Sequence, residues 1–287
     1  MPRLKKVFVE ITSRCNLACP FCVPGRRAGD LLSLADCARI LPQLKPHTDY
    51  LALHVLGEPL LHPEPGPILA LCHDLGFRVN LTTNGTLLPE RGAMLLASPA
   101  LRQVNISLHS VVGGGTGHDP WIYLAEVLAF VREAAGAGIH VNLRLWDRPR
   151  AVSGTGRWHD AVLTRLEEFF DLPEPLVDTV VAGQGVRLVE RVYLSQKELF
   201  DWPDLRKEPQ SGRGCCPALR DQAAILADGT VVPCCLDAAG AIALGNIFQT
   251  SFAAILTGER AQRLRAGFRQ RQAVEELCRR CTYKERF

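Results

Sequence analysis

The chain has 287 residues, of which 47% are hydrophobic and 22% charged, with a formal net charge of +3; this is ordinary globular composition, enough for one large domain or one with a small appendage. No apolar run approaches the roughly 18 residues of a membrane span, and the start MPRLKKVFVE has neither the apolar core nor the cleavage site of a signal peptide, so a cytoplasmic protein is expected. Eleven cysteines in so long a chain do not fit the disulfide framework of a small secreted domain, which leaves metal or cluster ligation as the better use of the thiols.

In chain order, the first strand is expected over Lys6–Thr12. It runs into ITSRCNLACPFCVPGR, which sets Cys15, Cys19 and Cys22 in the pattern C-x3-C-x2-C. Ser33 then reads as the N-cap of a helix over LADCARILPQL, with Asp36 three residues on. Further strands are expected at Tyr50–Leu56, Phe77–Thr83, Val104–His109, Ile139–Trp146 and Val186–Leu194. Asp119-Pro120 opens another helix that ends at glycine. This strand–helix alternation argues a parallel sheet with helices outside, and six such units are fewer than a full eightfold barrel. In parallel barrels chemistry sits at the C-terminal ends of strands, where the three-cysteine loop would lie. The character changes after about Ser195: two short strands flank an Asp228-Gly229 turn, a helix follows over Ser251–Arg265, and the chain runs on to ELCRRCTYKERF. The expected division is therefore 1–195 for the barrel and 196–287 for a small cysteine-bearing domain.

Three thiolates on a cubane cluster leave one iron without a protein ligand, and that iron can take a substrate or cofactor. The alternative is zinc held by the three cysteines with His54 or His62 as the fourth ligand. Cys37 and Cys72 lie among apolar residues on helix faces and read as core.

The context of the cysteine loop resembles the radical S-adenosylmethionine (SAM) superfamily over about residues 6–194. The resemblance rests on CNLACPFC after the first strand, LGEPLLHP after the second, TTNGT at the end of the third and ISLHS on the fourth. It implies an α/β fold, a partial (β/α)6 TIM-like barrel, in which Cys15, Cys19 and Cys22 hold a [4Fe-4S] cluster whose open iron binds SAM. By the same resemblance Phe21 contacts the adenine. Gly57, Glu58 and Pro59 meet the SAM amino group, and Thr83 and Asn84 face the site. Ser107 touches the methionyl or ribose part, and Asn142 and Arg144 serve the ribose hydroxyls or carboxylate. Many relatives carry Asp where this chain has His109. The chemistry implied is one-electron cleavage of SAM, hydrogen abstraction by the 5′-deoxyadenosyl radical, and an external reductant such as flavodoxin or ferredoxin.

Toward the C-terminus, Cys216, Cys234, Cys278 and Cys281 form a C-x17-C…C-x2-C set. Without context a structural zinc site would be the bland reading. CPALRDQAAILADGTVVPC, however, is similar to the opening of the SPASM and twitch extensions of radical SAM enzymes, which implies a small α+β twitch-like domain with one auxiliary [4Fe-4S] cluster. The adjacent Cys215 and Cys235 are left for packing, or for a hydrogen-donor role if either reaches the cavity. Seven thiolates around two such clusters would bring the formal charge near zero, so the basicity gives no argument for nucleic acid.

The remaining motifs carry less. SVVGGGTGHDP lacks a phosphate-loop pattern and reads as a flexible or gating loop, and WDRPRAVSGTGRW as a lining of the substrate cavity. Arg187, Glu190 and Arg191 alternate with apolar residues on the sixth strand and some would point inward. GERAQRLRAGFRQRQ reads as a solvated basic helix face. The function expected is a radical SAM oxidoreductase that passes an electron from a small polar substrate, a sugar or aminocyclitol alcohol, to the auxiliary cluster. Its rivals are a peptide maturase, a thiol-dependent epimerase and a non-catalytic electron carrier.

Overall fold

The computed structural model describes residues 3–23, 29–113, 117, 119–147, 155–176, 185–198 and 201–286. The chain divides into two compact units, one of residues 1–15, 22–79 and 200–287, the other of residues 16–21 and 80–199. The first unit joins the start of the chain to residues 200–287, because the C-terminal strands pair with the first strand.

In the first unit β1 (Lys6–Val9) lies parallel to both β2 (Tyr50–Leu53) and β8 (Gln222–Ile225). β8 then turns back through β9 (Thr230–Val232), which pairs antiparallel with β10 (Gly245–Asn246). The Asp228-Gly229 turn is where the sequence puts it. Gly229 has φ +84, and a Cβ there would stand 2.4 Å from the Phe248 ring, so only glycine fits. Helix α1 (Leu34–Leu44) starts at a complete capping box: Ser33 Oγ accepts the Asp36 N–H at 3.0 Å, and Asp36 accepts the Ser33 N–H at 3.2 Å. Cys37 on α1 and Cys72 on α2 (Pro65–Asp74) are fully buried, and burial pushes both thiols up to about 12. They are core.

The helix expected over Ser251–Arg265 is two helices, α7 (Phe252–Thr257) and α8 (Glu259–Arg269). Gly258 between them is extended, with ψ 157, and serves as the N-cap of the second. Leu264 and Phe268 of α8 are buried while Arg263 and Arg269 face solvent. The short helix α9 (Glu276–Arg279) follows.

β3 (Arg78–Thr83) begins in the first unit and continues into the second. There β4 (Leu101–Ser107), β5 (His140–Asp147) and β7 (Val192–Glu198) run parallel. One sheet face is apolar: Val104, Ile106, Val141, Leu143, Val192 and Leu194 are fully buried. Helix α5 (Pro120–Gly136) is capped by Asp119, which accepts the N–H groups of Trp121 and Ile122. The opposite face is polar, with Asn105 level with Asn142 and Ser107 with Arg144. Helices α3 (Leu88–Leu96), α4 (Ser110–Gly113) and α6 (Thr155–Phe170) complete this unit.

The sixth strand is a correction. The stretch expected as one strand over Val186–Leu194 is a hairpin: β6 (Gly185–Val189) runs antiparallel to β7, with Glu190 and Arg191 at the turn and Arg191 at φ 64. Arg191 Nη1 donates to the Gly138 carbonyl at 3.1 Å, at the start of β5 rather than at the C-terminal strand ends. Glu190 and Arg191 therefore do not point into a site. Among the described residues no helix is long and apolar enough to cross a membrane.

Candidate active site

In the first unit the base of the cysteine loop is pinned by its own return. Ser13 N–H donates to the Asp30 carbonyl at 3.0 Å, and Asp30 N–H donates back to Ser13 Oγ at 2.9 Å. The turn at Gly57-Glu58-Pro59 presses against this base. Gly57 has φ +74, and a Cβ there would meet Thr12 O at 2.3 Å and Arg14 O at 2.7 Å, both backbone atoms. Glu58 N–H donates to the Arg14 carbonyl at 2.7 Å, and the Glu58 carboxylate accepts the Leu60 N–H at 3.0 Å. A fully buried carboxylate is thus fixed beside the loop that carries Cys15. Cys22 packs on an apolar cluster with Phe8, Ala52, Leu56 and Leu226, and Cys235 packs on the same cluster.

Glu10, at the end of β1, escaped sequence reasoning, although an acid within VFVEIT was its signal. It is fully buried; one carboxylate oxygen accepts the Leu56 N–H at 3.1 Å and the other the Ala227 N–H at 2.9 Å. It ties β1 to the Gly-Glu-Pro turn and to the β8–β9 hairpin.

His62 is not available as a zinc ligand. Its Nδ1 accepts the Glu64 N–H at 3.0 Å, which places the proton on Nε2, and Nε2 donates to the Leu32 carbonyl at 2.8 Å. Burial lowers its pKa, in keeping with a neutral ring. The His54 ring packs edge-on against Phe8 at 5.2 Å.

In the second unit, Asn16 of the cysteine loop is held by two partners. It donates to Thr86 Oγ1 at 2.8 Å and accepts from Asn84 Nδ2 at 2.9 Å. Cys19 Sγ lies 3.8 Å from the Ser110 carbonyl. Phe21 sits 5.0 Å from the His109 ring, which stacks on Trp146 at 5.5 Å with 7° between planes. The Arg144 guanidinium lies 5.5 Å over Trp146. The aromatic wall of Phe21, His109 and Trp146, with a cation at its end, is larger than the sequence alone indicated.

Asn142 donates to Asn105 Oδ1 at 3.3 Å and accepts the Ser195 hydroxyl at 2.8 Å, which makes it part of a ladder on the polar sheet face. Ser107 is half-buried on that face, level with Arg144. Thr83 lies on the other face with Leu81, and its hydroxyl accepts the Gly85 N–H at 3.0 Å. Residues 114–116, 118 and 148–154, parts of two loops expected near the substrate, lie outside the described residues.

The C-terminal cysteines form a second locus, wholly in the first unit. Cys216, Cys234, Cys278 and Cys281 line one cavity, together with Asp237 and Lys284. Cys234 follows β9, while Cys278 on α9 and Cys281 are joined by a Cys281 N–H to Cys278 carbonyl contact at 3.3 Å. Cys215 and Cys235 are not part of the lining, so the cavity separates the members of both adjacent pairs. Burial pushes the Cys216 thiol up to about 11 and raises Cys278 and Cys234 as well, with neighbouring cysteines adding to the rise. Thiols raised in this way become thiolates beside a strong positive charge, which an iron–sulfur core would supply. The donor set therefore fits such a core. Among the described residues no group of three or more His, Cys, Asp or Glu is placed to hold a single metal ion. Asp237, also missed in the sequence, accepts the Ala241 and Ile242 N–H groups at 2.8 and 2.7 Å.

Comparison with known proteins agrees with this layout. Residues 9–147 match the family model of the radical SAM superfamily, and residues 215–282 match SPASM, an iron–sulfur cluster-binding domain. Among curated relatives, GTP 3′,8-cyclase of Synechococcus sp. (strain CC9902) is 39% identical over 176 residues, 54% of this chain and 49% of that protein. The chain spans half or less of the length of such relatives. Among solved structures, BtrN in complex with AdoMet and 2-DOIA superposes with a TM-score of 0.54 at 15% identity, covering 98% of this chain and 94% of that one. SuiB of Streptococcus suis bound to its precursor peptide SuiA gives 0.63 at 15% identity, covering 99% and 73%. These likenesses show the fold, a partial (β/α)6 barrel with a cysteine-rich C-terminal domain.

Proposed function

We propose that this chain, a radical SAM enzyme with a C-terminal SPASM domain, oxidises a small polar substrate at a carbon bearing a hydroxyl or amine. One observation carries the reading: Cys216, Cys234, Cys278 and Cys281 all line a single cavity. A cluster held by four thiolates has no open iron for substrate and is suited to accepting an electron. When bound, SAM and the two clusters supply a radical that removes a hydrogen atom and an acceptor for one electron. The substrate carbon loses that hydrogen atom, then a proton to a base and an electron to the acceptor, and an alcohol becomes a carbonyl. Cleaving SAM takes up one electron and the substrate gives one back, so the reductant need not be consumed.

In this reading Cys15, Cys19 and Cys22 hold the first cluster. Glu58 offers a buried carboxylate to the SAM amino group, with Gly57 and Pro59 shaping the turn that holds it. Phe21, with His109 and Trp146, provides aromatic contacts for the adenine, and Asn84, Ser107 and Arg144 meet the rest of SAM. The amide and hydroxyl ladder of Asn105, Asn142 and Ser195 suits a substrate rich in hydroxyl groups. Thr83 would act through the Gly85 turn rather than by contact. A cytoplasmic setting keeps these thiols reduced and supplies flavodoxin or ferredoxin as electron donor.

A second reading, ring closure on a nucleotide, is supported by relatives named GTP 3′,8-cyclase. The test is to incubate reconstituted protein with SAM and substoichiometric reductant against amino sugars, aminocyclitols, peptides and GTP. The reading expects a product lighter by two hydrogens, in molar excess over the reductant. Conversion of GTP without loss of hydrogen, or one reductant consumed per product, would overturn it.

A further inference from the structure

Arg260, at the start of α8, joins two of the arms that carry the C-terminal thiols. On one side its guanidinium grips Glu275 as a fork: Nε donates to one carboxylate oxygen at 2.9 Å and Nη2 to the other at 2.8 Å. On the other side Nη1 donates to the Ala243 carbonyl at 3.0 Å and Nη2 to the Ala241 carbonyl at 3.4 Å.

Each end of this bridge leads to a cysteine. Ala241 and Ile242 donate their N–H groups to the buried Asp237 carboxylate, and the Asp237 N–H in turn meets the Cys234 carbonyl at 3.3 Å. At the other end the Glu275 carbonyl accepts the Arg279 N–H at 3.0 Å, across α9, the single turn that carries Cys278. A helix of one turn is not stable by itself, so its place is set by what it is tied to. The tie is a strong one. A charge-assisted fork is stronger than a neutral hydrogen bond, and lysine cannot reproduce its geometry. The Glu275 side chain is only 10% exposed, so water competes little for it. The fork holds Glu275 below its ordinary pKa and Arg260 above its own, which keeps both charged.

We propose that Arg260 and Glu275 are the positioning pair of the auxiliary cluster: their fork fixes the loop of Cys234 against the turn of Cys278 and Cys281 and keeps the four thiols closed around one cluster. The inference rests on the reading that these four thiols hold that cluster. Neither residue is a ligand; both act through the arms that carry the cysteines.

The test uses the full chain with Cys15, Cys19 and Cys22 all changed to Ala, so that only the auxiliary cluster gives a signal. Release of iron from the reduced cluster to bathophenanthroline is timed anaerobically in this parent and in four variants. Arg260→Lys keeps the charge without the fork, and Glu275→Gln sets an amide donor against one arm of it. The third variant combines the two. Ser33→Ala, the control, removes the cap of α1 in the same unit, away from the cysteines. Each single variant should release iron roughly tenfold faster than the parent or more. The double variant should be no more than about threefold faster than the faster single one, because the partners act as a unit. Ser33→Ala should stay within about threefold of the parent. A single variant that binds no iron yet melts with the parent also supports the pair. One that does not fold leaves the other single variant to decide by the same criteria. Single variants within about threefold of the parent, a control as fast as they are, or a double variant whose acceleration is the product of the two would overturn the inference while the cluster reading stands. A parent that takes up no iron removes the cluster reading itself, and the inference with it.

Discussion

Replacing Gly57 by Ala tests whether the Gly-Glu-Pro turn and the cysteine loop are one mechanical unit. The backbone at φ +74 disfavours alanine by about 1 kcal/mol. The new Cβ would also lie 2.3 Å from Thr12 O and 2.9 Å from Ser13 C, both in a segment tied down by the Ser13–Asp30 exchange. Relieving the overlap requires the Glu58 N–H to Arg14 carbonyl bond, at 2.7 Å, to open. An opened buried hydrogen bond adds about 1–3 kcal/mol. The total of about 3 kcal/mol corresponds to roughly 100-fold in the ratio of native to opened loop. Gly138→Ala is the control: its φ is +84, but nothing lies within 4 Å of the new Cβ, so it bears the conformational term alone. The assay is 5′-deoxyadenosine release from SAM with dithionite under anaerobic conditions, beside thermal unfolding. Gly57→Ala should release the nucleoside about 100-fold more slowly than wild type while keeping its auxiliary cluster. Release within threefold of wild type, with a melting temperature no lower than that of Gly138→Ala, would refute the reasoning.

Three further outcomes are expected. Ser replacements at Cys216, Cys234, Cys278 or Cys281 should each lose or weaken the auxiliary cluster in iron analysis, whereas Cys215→Ser and Cys235→Ser should retain it, since only the first four line the cavity. Glu10→Gln places an amide N–H against one of two backbone donors, at Leu56 or Ala227, and should destabilise the protein by about 2 kcal/mol, read from chemical denaturation. The buried thiols Cys37 and Cys72 hold their protons in the folded chain up to about 12, while the unfolded chain releases them near 9. The stability present below pH 9 is therefore lost as pH climbs toward 12, by about 1.4 kcal/mol per unit for each thiol, and Cys37→Ala with Cys72→Ala should flatten that slope in melts across the range.

Local signals carried much of this architecture. Ser33 with Asp36, Asp119 with Pro120, and Asp228 with Gly229 each mark an element boundary through a hydrogen bond or a backbone conformation that a few neighbouring residues decide. The β6–β7 hairpin was hidden because Glu190 and Arg191 are not typical turn residues, and Arg191 takes φ 64 without a glycine. Gly258 divides α7 from α8 in an otherwise continuous helical pattern.

At the site, cysteine spacing was the legible signal, because a cluster would need that residue type at those positions. Cys234, the member of its pair that the spacing favours, lines the cavity, and Cys235 does not. Glu10 was not legible, since its role depends on partners distant in sequence: it meets Ala227 across 217 positions. Thr83 is buried and its hydroxyl accepts the Gly85 N–H, a local bond that the motif does not reveal.

The central claim is that one cluster has an open iron and the other is closed. Electron paramagnetic resonance of the reduced, reconstituted protein, recorded with and without SAM, tests it most directly. The account predicts two cubane signals, of which SAM shifts only one, and that one is missing when Cys15, Cys19 and Cys22 are all changed to Ala. A single signal, or two signals that both shift with SAM, would contradict it.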